Sequence, residues 1–349
     1  MGHIIWNITV GGIIIKVDII GGSLSGFSAA ISLKNNNASI EVNVHEKNGK
    51  IGYNYEGRKC GEAHSVEAEW KKWVPEKDSY YNVITKGEVI IGNKKRVYYT
   101  DFGQGFILNR PEFICQLARK AENLGVIIQT ENKIKSINDL HGEYIVDASG
   151  CPSTIKRELG IKKGITGIGY QQTLENSNCF NSHTLKIIFA DKFGYYWIFP
   201  RDPTKNEINL GIAFFERFNY NLKEMLEMFK KKQKIEGKIN YVAGGLIPIG
   251  LQRPLMHKNI LFVGDSGVGT FPLTGKGIYR ALYSGDIAGK CLAKRKPEDY
   301  PKFMNKSFIK WDMIGKPFLK ANLVFGRINP KLVFASLNYF ADFCNFMNL

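Results

Sequence analysis

The stretch VDIIGGSLSGFSAA, Val17 to Ala30, constrains this chain more than any other. An apolar run from Ile13 to Ile20 ends at Gly21, and from Ser25 onward small and apolar residues follow a helical pattern. A buried parallel strand, a glycine turn and a helix are predicted in that order. SIEVNVHEK, Ser39 to Lys47, is predicted as a second strand that closes on an acid, Glu46. Strand, turn, helix and strand make the unit in which a glycine fingerprint holds a dinucleotide. In the Gly21-Gly22-Ser23 turn the first glycine permits the tight bend, and Gly26 lets the helix pack closely on the strand. Ser23 stands where the middle glycine of the fingerprint faces a pyrophosphate, and its hydroxyl is available to phosphate. The helix start near Ser25 offers free N–H groups and a positive dipole end. Glu46 lies 25 residues after Gly21, beyond the usual ~20, because the polar insert KNNNAS lengthens the loop before the second strand. An acid at this place binds ribose hydroxyls and disfavours a 2′-phosphate, so NAD or FAD is expected rather than NADP.

Three further segments separate those two ligands. YIVDASGCPSTIKRELG, Tyr144 to Gly160, is an apolar strand ending in Asp147-Ala-Ser-Gly150, followed by a short basic helix. NILFVGDSGVGTFPLTGKGIYRALYSG, Asn259 to Gly285, is an apolar strand ending in Gly264-Asp265, then glycines, a proline and a helix start. NRPEF places Arg110 where another helix begins. In order and context these resemble the motifs of FAD-containing proteins of the aromatic-hydroxylase fold. That resemblance implies FAD, with Asp265 on a ribityl hydroxyl and Arg110 reaching the cofactor. The helix starting near Gly277 would stabilise negative charge on the flavin. Gly275, Lys276, Gly277 and Ile278 would approach the ring. Gly21, Gly22, Ser23, Ser25, Gly26, Glu46, Lys47, Asp147 and Gly150 complete the implied cofactor set with Gly264.

A narrower resemblance rests on GYYWIFPRDPTKNEINLGIA, Gly194 to Ala213, which is similar to the Tyr-x-Trp-x-Phe-Pro block of geranylgeranyl reductases. Its later Gly-x-Gly is reduced here to Gly211-Ile-Ala. RKCGEA, Arg58 to Ala63, resembles that family's Cys-Gly element, and GGLIPIG, Gly244 to Gly250, its proline segment. Alternation along a strand puts Tyr195, Trp197 and Phe199 on one face; core packing and a substrate wall are both open to such a face. The family resemblance implies the latter, with Pro200 beside them. It also implies cofactor contacts from Cys60 and Gly61 and a catalytic role for Cys60 as proton donor, or as a thiol that keeps the flavin loop in place. His64 reads as a surface histidine. The implied activity is hydride transfer from reduced flavin N5 to a C=C bond of a geranylgeranyl chain in an isoprenoid lipid. A proton reaches the other carbon.

Composition limits the remaining classes. With 349 residues the chain can form one or two domains. Strands and helices alternate up to residue 165, the stretch 165–215 is β-rich, and the last fifty residues read as helical. An α/β fold with α+β character is predicted: a Rossmann-like FAD-binding domain (13–75, 103–165 and 240–295), an interleaved antiparallel β-sheet substrate domain (76–102 and 166–239) and a helical C-terminal region (296–349). Six cysteines without a CxxC pair exclude a zinc ribbon, and no metal site is expected. The formal net charge is +16, yet no recognition motif accompanies it, which speaks against nucleic acid. The run FKKKQK, Phe229 to Lys234, suits a solvated helix end or anionic headgroups. No apolar run reaches the ~20 residues of a membrane span, and the first residues lack the pattern of a signal peptide. A cytoplasmic protein, with peripheral contact at the inner membrane face, is expected. The final segment PKLVFASLNYFADFCNFMNL reads as a helix that packs on the FAD domain, closes a lipid tunnel or dips into a membrane surface. No second glycine fingerprint marks a nicotinamide site, so the external electron donor is either NAD(P)H or a small redox protein. The alternatives are an aromatic monooxygenase of the same fold, a reductase of a quinone's isoprenoid tail, and a flavin-binding electron carrier or lipid-binding module without turnover.

Overall fold

The computed structural model describes residues 15–53, 61–66, 73–101, 103–190, 194–215, 221–272 and 274–346. The chain is mixed α/β, built on two large sheets. β1 (Lys16–Ile20) pairs in parallel with β2 (Glu41–His45) on one side and with Tyr144–Asp147 on the other. The six-stranded sheet runs Met256–His257, Ile260–Phe262, Tyr144–Asp147, β1, β2, Ile127–Gln129. Only its first pair is antiparallel among the described residues. Within β1, Asp18 is buried and accepts hydrogen bonds from His141 N–H at 2.8 Å, Gly142 N–H at 2.7 Å and His45 Nε2 at 3.1 Å. Burial opposes its ionisation, but these bonds outweigh it and hold the carboxyl at about 2.

α1 (Leu24–Asn36) returns the chain from β1 to β2, and every residue from Leu24 to Leu33 is buried. Its small residues face the helix Ile278–Ala293, whose Gly285 and Gly289 lie against Ser28 and Ala29. Ser28 Oγ donates to Leu282 O at 2.9 Å across this contact. The serines and alanines of α1 therefore form a close helix–helix seam.

The second sheet has seven strands in the order Lys238–Pro248, Thr166–Glu175, Glu207–Phe214, Gly194–Asp202, Thr184–Ala190, Lys86–Ile91, Lys94–Tyr99. It is antiparallel except where Thr184–Ala190 meets Lys86–Ile91. Its outer face carries the basic helix Leu222–Gln233, where Phe229 stacks on Tyr196 with ring centroids 3.9 Å apart. The strand Lys238–Pro248, which the sequence reading divides at residue 240, lies wholly in this sheet. A small three-stranded sheet, Ala63–Ser65, Gly105–Leu108 and Tyr80–Ile84, stands between the two. The last helices, Asp299–Ile328 and Pro330–Phe346, are joined at Asn329. Tyr300 Oη donates to Phe262 O at 2.7 Å, tying the first to the six-stranded sheet. Arg96 donates to Asn338 Oδ1 at 2.5 Å, tying the second to the edge of the seven-stranded one.

Candidate functional site

Between the two sheets lies a continuous cavity of about 2270 Å³. This exceeds the few hundred to one thousand Å³ of an ordinary small-molecule site, so it has room for a nucleotide and a second, extended ligand.

At one end the wall is the turn after β1. Gly21 has φ +102° and a methyl group there would sit 2.7 Å from Ala148 O, so only glycine fits. Gly22, Ser23 and Ser25 follow on the wall, while Gly26 is buried behind it, against Gly21 O. Ser23 is the N-cap of α1: its Oγ accepts from Gly26 N–H at 3.2 Å. Capping, one of the roles serine performs best, gives a structural reason for this residue at the fingerprint's middle position. Glu46 lines the cavity and reaches back to the turn, Oε2 accepting from Gly22 N–H at 2.9 Å. Its Oε1 takes the backbone N–H and the side-chain amide of Asn48, at 2.9 and 2.7 Å. Lys47, Lys133, Lys135 and Arg157 add positive charge to this end.

Gly150 lines the cavity with φ +94° and open space where a Cβ would be. Asp147 is not on the wall. Its fully buried carboxylate holds the following loop, accepting from Ser149 N–H at 2.9 Å and from Ser153 Oγ. Gly264 likewise lies behind the wall, packed on Ser25, and its N–H donates to Ser284 Oγ at 2.9 Å.

Asp265 is different. Its surface is open, both to this cavity and to a smaller adjoining pocket. The protein packed round its carboxyl raises it above the usual range, with Arg110 and Arg280 pulling the other way. Arg110, at the start of helix Arg110–Asn123, also lines the cavity. Arg280, which no local motif marks, is fully buried behind the wall and donates to Val268 O at 2.6 Å. Burial brings it down to about 10 despite Asp312 and Asp265 nearby.

Gly275, Lys276, Gly277 and Ile278 line the cavity where the helix Ile278–Ala293 begins. That helix has no side-chain cap at Gly277, so its first N–H groups and positive dipole end face the space. Gly275 has φ +66°, and a side chain there would overlap Tyr195 Oη.

Tyr195 opens the other half of the cavity. It, Trp197 and Phe199 line the inner face of the seven-stranded sheet as alternation requires. Pro200 falls on the opposite parity and off the wall, with Asn82 Nδ2 donating to its carbonyl at 2.9 Å. Trp197 lies flat on the sheet because residue 211 has no side chain: any Cβ there would overlap the indole. Its Nε1–H donates to Gln171 Oε1 at 3.1 Å, two strands away. Gly61 faces Phe199, with space for a Cβ only 2.7 Å from the ring. Burial pushes the Tyr195 phenol up to about 12, so it stays protonated. Val89, Ile187, Phe189 and Phe271 extend an apolar chamber.

Two polar features of this half escaped sequence reasoning. Glu62, with φ +61°, and Glu207 both bind Arg201, Nε to Glu62 Oε2 at 2.8 Å. His64 is no surface residue: it is buried in the strand Ala63–Ser65 and lines the cavity. Burial lowers its ring to about 4, outweighing the 3.4 Å contact with Trp73 O. Cys60 lies outside the described residues. Among the described residues no cluster of metal-ligating side chains is present.

No family model matches the chain. The digeranylgeranylglycerophospholipid reductase of Methanocaldococcus jannaschii is 26% identical, with 92% of this chain and 87% of that protein aligned. The reductase of the same name from Sulfolobus acidocaldarius is 25% identical over 78% of this chain and 68% of its own length. The chain is thus similar, over most of its length, to proteins named digeranylgeranylglycerophospholipid reductase. The resemblance read from the Tyr-Trp-Phe-Pro block is thereby borne out, and these relatives carry the names of reductases. Among solved structures, a geranylgeranyl bacteriochlorophyll reductase-like protein from Thermoplasma acidophilum superposes with a TM-score of 0.73 at 18% identity, covering 89% of this chain and 91% of the other. A flavin-dependent brominase gives 0.69 at 17% identity, covering 93% of each. Both share the mixed α/β fold.

Proposed function

We propose that this protein binds FAD across the cavity and reduces C=C bonds of geranylgeranyl chains in isoprenoid lipids or their precursors. One observation carries the reading: the fingerprint turn, the carboxylate of Asp265 and the uncapped helix start at Gly277 face the same space as the aromatic wall of Tyr195, Trp197 and Phe199.

The residues present fit a dinucleotide. Gly21, Gly22 and Ser25 would receive the diphosphate at the start of α1, with Arg110 and Arg157 for its charge. Glu46 retains acceptor capacity for ribose hydroxyls, since each carboxylate oxygen has two lone pairs. Asp265 would take a ribityl hydroxyl, and the Gly275–Gly277 turn would sit at the ring. The chemistry that FAD supplies when bound and reduced is hydride donation to one carbon of an alkene.

The chain's own part is largely orientation. An isolated alkene develops no oxyanion, so the chamber has to hold the chain with its reacting carbons fixed. Trp197 and Phe199 give it a flat apolar floor, and Tyr195 marks the boundary with the cofactor half. Cys60 is our candidate for the proton on the second carbon, and its neighbour Gly61 stands against Phe199. NAD(P)H or a small redox protein would supply electrons.

Incubating the dithionite-reduced holoprotein with a geranylgeranyl phospholipid, without oxygen, tests this by mass spectrometry. Each bond saturated should add two hydrogens, and Cys60→Ala should reduce that yield while leaving flavin reduction intact. An unchanged lipid would refute the reductase reading; a hydroxylated product in air would favour the monooxygenase.

A further inference from the structure

The helix Asp299–Ile328 turns an unusual face outward. Its inner side is held by the fold: Leu319 and Asn322 are buried, and Asn322 Nδ2 donates to Ser336 Oγ at 3.0 Å. On the outer side Met313 is 68% exposed, Val324 53% and Ile328 71%. At 3.6 residues per turn these fall, with Pro317, within an arc of about 60°. The outward arc of a surface helix is normally polar. Here its second half is apolar, while its first half presents the exposed lysines Lys302, Lys306 and Lys310.

The charge around this stripe is mainly positive, with Asp299 of the first turn bridged to Lys302 at 2.8 Å. Between Tyr300 and Phe340 the sequence has seven cations and a single acid, Asp312. That acid is buried and bridged to Lys316 at 2.7 Å. The same helix borders the cavity from its other faces: Trp311 and Ile314 line it, as do Tyr98 and Tyr99 of the edge strand, the latter 80% exposed. The basic run Phe229 to Lys234 is not part of this surface; it belongs to the helix on the far face of the seven-stranded sheet.

We infer that the outward stripe of Asp299–Ile328 docks on a membrane surface that carries anionic headgroups, placing the cavity beside its lipid. The inference rests on the lipid-substrate reading given above. Apolar side chains enter the headgroup–acyl boundary while lysines meet the negative surface, the division of labour of an interfacial helix. Met313, Val324 and Ile328 supply the first part and Lys306, Lys310 and Lys320 the second. A helix of this composition does not cross the bilayer, and none of the described helices is long and apolar enough to do so.

Co-sedimentation of the holoprotein with phosphatidylcholine vesicles, with and without phosphatidylglycerol, tests this. Binding should require the anionic lipid and fall as salt rises. Val324→Glu/Ile328→Glu and, separately, Lys306→Glu/Lys310→Glu should each weaken it by about tenfold or more. All these side chains are exposed, so flavin content and thermal midpoint should stay at the wild-type values. Reduction of detergent-dispersed lipid should also be unchanged, which separates failure of docking from failure of the reductase reading. Wild-type protein that ignores anionic vesicles, or variants that bind as tightly, would overturn the inference. So would a wild-type dimer in sedimentation that Val324→Glu/Ile328→Glu dissolves, since the stripe would then belong to a second copy.

Discussion

Trp197 lies down because residue 211 is glycine, and this one absence of a side chain sets the depth of the apolar chamber. Gly211→Ala should lift the indole into the space and detach it from Gln171. Overpacking of this kind costs about 1–3 kcal/mol. The account therefore expects retained flavin and a kcat/KM for the lipid lowered by about tenfold or more, measured by steady-state assay. His64 gives a second prediction at this scale. Its folded value of about 4 lies below the ordinary 6.5. Above the ordinary value neither state holds the proton. As the pH falls through that window the unfolded chain takes a proton that the buried ring refuses, so stability drops by up to about 3 kcal/mol. Urea unfolding of His64→Phe between those pH values should show a flatter dependence than the parent; an equal slope would mean the ring titrates freely. Residues inside contiguous motifs were legible in the sequence, Gly21, Asp265 and Trp197 among them. His64, Gln171 and Glu62 were not, because what gives them meaning is pairing across strands or burial by distant segments.

At the scale of elements, alternation in YYWIFP and the strand–turn–helix period of VDIIGGSLSG predicted what formed, since each pattern is local. Ser23 shows the limit. Expected to offer its hydroxyl to phosphate, it is the N-cap of α1, and the capping preference explains its presence. The boundary at residue 240 ran through a strand although Asn240 sits there, a residue common in turns; only pairing with Thr166–Glu175 shows that Lys238–Pro248 is one strand. The join between small and large sheets is electrostatic. Arg201 is buried, bonded to Glu62 and Glu207, and its guanidinium lies 3.9 Å from the Tyr81 ring centroid. Arg201→Met would leave two buried carboxylates without their cation, which costs about 3–5 kcal/mol. The urea midpoint should fall accordingly, and Glu62→Gln in the same background should recover part of it. A midpoint within error of the parent would mean the network is not a joint.

Across the whole molecule, the interleaving of an α/β layer with a β layer was visible in the order of patterns, whereas the cavity between them was not. A cavity is made by what two sheets leave unfilled, and no single segment encodes it. Its continuity from Glu46 to Phe189 is what the proposed function needs, a nucleotide in one half and an extended hydrocarbon in the other. The most direct measurement is the rate at which reduced, FAD-loaded protein is reoxidised under strict anaerobiosis, with a geranylgeranyl phospholipid and with its fully saturated counterpart. The account expects the flavin absorbance to return only with the unsaturated lipid, at a rate that follows its concentration. Equal rates with both lipids, or protein that takes up no FAD, would contradict it.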